Sequence, residues 1–235
     1  MYKYRIRYTK EISLKYLSHL DLIRAIERAA RRAQLSVAYS EGFHPHPKFS
    51  FGPALAVGIS SSDEYFDLEL TRDWEPESMR EALNRSLPEG LRILAVKRMA
   101  GNHPVKPLNA VINRASYAIG LRVAPEQLSA IREWLGELMN RSELVVVKRS
   151  KENEKVVNIR PWLHNLSTET ADDNVLVVNV TGEIGSGGHL RPEDIFQLLP
   201  YPVEVLYITR LGLWHEEKGK AIKPLDFCEK AGGNE

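Results

Sequence analysis

At 235 residues, 43% hydrophobic and 27% charged, the chain is long enough to bury two small cores. A mean hydropathy of −0.32 with no long apolar run excludes a helical membrane protein. A net charge of +1 gives no global pull toward polyanions, and the single cysteine, Cys228, excludes an internal disulfide or an iron–sulfur cluster held by the chain's own thiolates.

The opening MYKYRIRYTK alternates aromatic with basic residues where an export signal needs an unbroken apolar core, so the expected location is the cytoplasm. Tyr2, Tyr4, Ile6 and Tyr8 share one face and Lys3, Arg5 and Arg7 the other, the period of a half-buried strand. From His19 to Gln34, Leu22, Ile23, Ile26, Ala30 and Ala33 recur at helical spacing, and Ser18 with Asp21 three residues on reads as the cap. Arg24, Arg28, Arg31 and Arg32 form a second stripe opposite the apolar one. Val37–Tyr39, a proline-rich loop and a strand-like run over 48–59 lead to the alternating strand EYFDLELT. A helix over roughly Pro76–Leu87, stopped by PEG, and the strand LRILAVKRM close the unit.

That order, strand, helix, strand, strand, helix, strand, is the ferredoxin-like pattern. AGNHPVKPLNA reads as a linker. Beyond it, SYAIGLRV, a helix over Pro125–Leu138, the strands LVVVKRS, KVVNIRP and VLVVNV, the short helix RPEDIFQLL and the strand VEVLYITRL repeat the order with one strand added. The expected fold is therefore α+β: two tandem ferredoxin-like domains with antiparallel sheets, 1–100 and 114–214, joined by a linker over 101–113 and followed by a mobile polar tail, 215–235.

Charge is uneven: residues 1–50 hold ten Lys and Arg against four acids, whereas 51–100 hold nine acids against six bases. In a ferredoxin-like sheet the first and third strands are neighbours, so Lys3, Arg5 and Arg7 should pair with the outward Asp67 and Glu69, and Tyr65, across the sheet rather than offer a nucleic-acid face. The arginine stripe of the first helix is either an anion-binding face or a solvated one with Glu27 and Arg31 paired. In SEGFHPHPKFSF the prolines extend the backbone and set His44 and His46 on one side, able to bind a metal, move protons or hold a phosphate beside His19 and Asp21. A packed structural loop is the other reading, with Phe43, Phe49 and Phe51 as its anchors in the core. The glycines of TGEIGSGGHLRPED fit neither a P-loop nor a dinucleotide fingerprint and read as a plain turn before a helix whose first residue is Pro192.

The Ser-His-x-Asp-Leu entry to the helix and the Gly-Phe-x-Pro-His-Pro-Lys-x-Ser-Phe loop closely resemble the radical-SAM-linked protein family, an uncharacterised bacterial group, over residues 1 to about 100. On that resemblance Ser18, His19, Asp21, Arg24, Gly42, Phe43, Pro45, His46, Pro47, Lys48 and Ser50 carry over, and His44 falls at a variable position. The resemblance implies a radical S-adenosylmethionine enzyme as partner, carrying the iron–sulfur cluster, S-adenosylmethionine and, in part of the group, a cobalamin region, with no cofactor or metal in this chain. A more distant likeness is to CRISPR-repeat endoribonucleases of the RAMP superfamily, where His19 fits the place of the histidine near the first helix.

The leading expectation is an auxiliary protein that holds RNA, transfer or ribosomal, or another anionic substrate for that partner. Arg24, Arg28 and Lys48 would hold phosphates and His19, Asp21 and His46 would shape the pocket, with Ser18, Arg31, Gly42, Phe43, His44 and Ser50 as further candidate contacts. The alternatives are a metal-independent ribonuclease with His19 and His46 as catalytic residues, and a protein-binding adaptor.

Overall fold

Strict alternation of apolar and basic residues makes the first strand, β1 (Tyr2–Lys10), whose Tyr4, Ile6 and Tyr8 face the core. A computed structural model of the chain describes residues 1–99, 107–149, 154–172 and 174–228. It divides into two units, one of Met1–Asn113 with the chain from Gly212 onward and one of Arg114–Leu211.

In the first unit, Ser18 caps α1 (His19–Arg32) through its Oγ, which accepts from the Asp21 amide at 3.2 Å. Leu22, Ile26 and Ala30 of α1 pack against β1 and against Phe66, Leu68 and Leu70 of β3 (Ser60–Leu70), with the short β2 (Phe49–Phe51) beside β3. Glu75 caps α2 (Pro76–Ser86), which adds Met79 and Leu83 to the core before β4 (Leu91–Arg98). Burying each of the Leu, Ile and Met side chains contributes roughly 1.5–3 kcal/mol. The strand order is β4-β1-β3 with β2 on the outer edge of β3, and every pairing is antiparallel.

The expected long strand over 48–59 is reduced to three residues. Gly52 lies against the Tyr65 carbonyl, Pro53 cannot donate to a ladder, and Gly58 turns the chain at φ +92°. Of the expected linker, α3 (Leu108–Val111) is a helical turn that buries Leu108 and Val111, and 101–106 lies outside the described residues.

The second unit runs β5 (Arg114–Arg122), α4 (Leu128–Leu138), β6 (Val145–Arg149), β7 (Glu154–Asn158), β8 (Leu163–Asp172), β9 (Val175–Glu183), α5 (Pro192–Phe196) and β10 (Glu204–Glu217). Its strand order is β10-β5-β9-β8. Two strands are added where one is expected, because β6 and β7 pair with each other as a separate hairpin. The long edge strand β8 is absent from the sequence reading.

The tail expectation is corrected. β10 continues to Glu217, turns through Lys218 and Gly219 at positive φ into β11 (Lys220–Ile222), and ends in a helical turn over Pro224–Cys228. These residues belong to the first unit, where Asn113 bonds the backbone of Trp214 and Glu216 and the Pro224 carbonyl accepts from Arg5 at 3.0 Å. Residues 229–235 lie outside the described ones. The fold is thus mixed α+β with a mostly antiparallel sheet, and among the described residues no helix is long and apolar enough to cross a membrane.

Candidate functional site

The basic residues of β1 meet the acids of β3, Lys3 and Arg5 those directly opposite and Arg7 one two residues further along. Lys3 reaches Glu69 at 3.0 Å, Arg5 grips Asp67 with two bonds of 2.7 and 2.8 Å, and Arg7 reaches Asp63 at 2.6 Å. Arg5 is fully buried, and Asp63, also buried, further accepts from the Tyr65 hydroxyl and the Leu213 amide. Opposite charge in register therefore neutralises most of this face, and Tyr65 lies inside the network, its phenol pushed up by burial and by Asp63.

The sequence-predicted residues are divided by their contacts among three places. At the head of α1, Ser18 donates to Asp21 at 2.7 Å and Arg24 reaches the same carboxylate at 3.4 Å, while Arg24, Arg28 and Arg31 stand on the exposed face. His19 is half-buried and sets its ring edge-on to Phe51, centroids 5.9 Å apart. Arg32, at the end of the same stripe, donates to the Ser86 carbonyl at 2.5 Å.

The second place is a projecting finger over 39–47. Its base is closed by a Tyr39 to Pro47 bridge, by the Ser40 amide donating to the His46 carbonyl at 2.9 Å, and by the His46 amide donating to Ser40 Oγ at 3.0 Å. Gly42 takes φ +120° at the tip, a conformation that side chains oppose, and Gly42, Phe43, His44, Pro45 and His46 are all exposed. The expectation that Phe43 anchors the loop is corrected: the positive-φ turn throws its ring wholly into solvent, at 101% exposure. Phe49 and Phe51 are the anchors, Phe49 tilted against Phe66 at a centroid distance of 5.9 Å and Phe51 stacked on it at 5.4 Å.

The third place follows from strand alternation. Phe49 and Phe51 point into the core, so Lys48 and Ser50 face the other way, Ser50 opposite Asp67 in register and Lys48 3.4 Å from Glu69. There they line a hollow of about 290 Å³ with Lys3, Asp67, Glu69 and Met99. Burial pushes the Glu69 carboxyl up, but Lys3 and Lys48 outweigh it and hold it below its ordinary value. Lys3 and Glu69 were not among the sequence candidates; the signal for them is Lys48 and Ser50 at i, i+2 beside the β1–β3 charge ladder. Among the described residues no group of three or more His, Cys, Asp or Glu is placed to hold a metal ion.

In the second unit the glycine-rich turn is closely packed at two of its glycines. A methyl at Gly182 would lie 2.3 Å from Leu190 and one at Gly188 2.3 Å from the Trp162 ring.

A family model described as "Uncharacterized protein conserved in bacteria (DUF2344)" matches residues 3–192. No curated protein matches the sequence. Among solved structures, the one titled "Crystal Structure of a Cbf5-Nop10-Gar1 Complex" is similar at a TM-score of 0.47 and 11% identity, over 88% of this chain and 47% of that one. The chain thus spans about half the length of that matched chain.

Proposed function

The chain belongs to this bacterially conserved family of uncharacterised proteins, and from that premise we propose that it is an auxiliary protein holding RNA, or another polyanion, for a radical S-adenosylmethionine partner. The observation that carries the reading is the exposed row Arg24, Arg28 and Arg31 along one face of α1. Three guanidiniums at helical spacing track a phosphate backbone, and the apolar side of the same helix, packed on the sheet, holds the row rigid. In this reading the partner carries the iron–sulfur cluster and the S-adenosylmethionine, and this chain supplies the surface that retains the substrate in the cytoplasm. We also read each unit as a ferredoxin-like domain, since both strand orders, β4-β1-β3 with β2 on β3 and β10-β5-β9-β8, follow the order of that fold.

The test is retention of cellular RNA by the purified protein across a salt series. Arg24→Ala/Arg28→Ala should weaken retention and flatten the dependence of log K on log salt by about 1.4–1.8, two phosphate contacts at roughly 0.7–0.9 each. A wild-type protein that retains no RNA at low salt ends this reading.

A further inference from the structure

The hollow behind Lys48 and Ser50 lies on the sheet face opposite the α1 arginines, because Phe49 and Phe51, alternate residues of the same strand, pack with α1 in the core. Its charges do not balance. Asp67 is paired by the buried Arg5, which leaves Glu69 as the remaining carboxylate of the lining, shared by the Lys3 and Lys48 ammoniums at 3.0 and 3.4 Å. Three cations thus face two carboxylates, and one positive charge is left at the mouth. Both lysine side chains are partly exposed, at 45% and 37%, so an incoming anion can reach them without unfolding the strand pair.

The remaining wall is apolar, with Met99 and Pro107 at its side. A volume of about 290 Å³ stands at the small end of the range of roughly 300–1,000 Å³ typical of ligand sites, so the occupant is compact. We infer that this hollow is a binding site for a singly charged oxyanion on a compact ligand, held by Lys3 and Lys48 with the Ser50 hydroxyl as a further donor. A dianion fits the charge balance less well, since it would face the Glu69 and Asp67 carboxylates with an excess negative charge. The group can be a phosphodiester of RNA or the acid group of a small molecule. The site goes beyond the RNA reading, because it uses none of the α1 arginines.

Calorimetric titration with a ribodinucleotide, whose single diester carries one negative charge, and with acetate and inorganic phosphate, tests it. Lys48→Met should weaken binding about tenfold, the effect of losing one charge-assisted hydrogen bond, while Lys48→Arg retains it. Glu69→Gln should tighten binding, because it removes the carboxylate that competes for the two ammoniums. Thermal unfolding of each variant shows whether the fold is kept. Binding of the dinucleotide alone assigns the site to RNA backbone, and binding of acetate or phosphate assigns it to a small-molecule acid. No binding of any probe, or weaker binding in Glu69→Gln, overturns the inference. Arg24→Ala/Arg28→Ala should leave these titrations unchanged, so loss of RNA retention and loss of the oxyanion site are separately visible.

Discussion

Replacing Arg5 by alanine tests the energetics of the β1–β3 charge ladder. Arg5 is 0% exposed and makes three bonds, two to Asp67 and one to the Pro224 carbonyl. Removing it leaves a carboxylate only 18% exposed without its main partner and strips a donor from Pro224. Breaking a buried pair from one side costs about 3–5 kcal/mol. Lys3 and residual water at Asp67 offset a part, so we expect a loss of about 3 kcal/mol, or roughly 1–3 M in the urea midpoint.

The loss should depend on pH. Burial holds the Asp67 carboxyl above its ordinary 3.8 against the pull of Arg5 and Lys3. A carboxyl raised in the fold contributes stability that is full below the unfolded value and is lost as pH rises through the folded one. Deleting Arg5 raises the folded value further, so the deficit should be larger at about pH 7 than at about pH 4.5. Replacing both partners, Arg5→Met with Asp67→Leu, should recover most of the loss. Urea unfolding at the two pH values decides it: a deficit under about 1 kcal/mol, a deficit equal at both pH values, or a double variant no better than Arg5→Ala would refute the reasoning.

Two further predictions concern the second unit. Lys148 Nζ lies 2.9 Å from the buried Asp194 carboxylate and donates to the His189 carbonyl at 2.7 Å, so Lys148→Met should cost about 3 kcal/mol and speed amide exchange in α5, read by hydrogen-exchange mass spectrometry. A methyl at Gly120 would fall 2.3 Å from the Tyr207 ring, so Gly120→Ala should lower stability by about 1–3 kcal/mol, seen as a drop of several degrees in calorimetry; an unchanged Tm would show that the ring swings aside freely.

The elements written in clear periodicity were legible from residues alone. Tyr2 to Tyr8 alternates over a strand, Leu22, Ile26 and Ala30 recur over a helix, and the meeting of Arg5 with Asp67 follows from the pairing of first and third strands. β8 was missed because its run Ser167, Thr168, Glu169, Thr170 has no apolar alternation; its place on the edge demands none, since β9 supplies the ladder from one side only. The separate β6–β7 hairpin was missed because valines in both strands read as sheet whichever strand they join. At the candidate site, the alternation of Lys48 and Ser50 was visible, but their orientation depends on which phenylalanines are buried, and Phe49 and Phe51 are decided by Phe66, a residue of another strand. Phe43 shows the limit of hydrophobicity as a guide, because the turn at Gly42, not the ring's preference for the interior, sets its direction.

Segments far apart in sequence build one unit. Arg5 is completed by Pro224, 219 positions downstream, and Asp63 by the Leu213 amide. During synthesis, at roughly 5–20 residues per second, Arg5 can pair with Asp67 early, but its bond to Pro224 must wait about 5–20 s while the whole of Arg114–Leu211 is made. The unit begun earlier is therefore closed later, and the inserted unit can fold before the one that encloses it in sequence is complete.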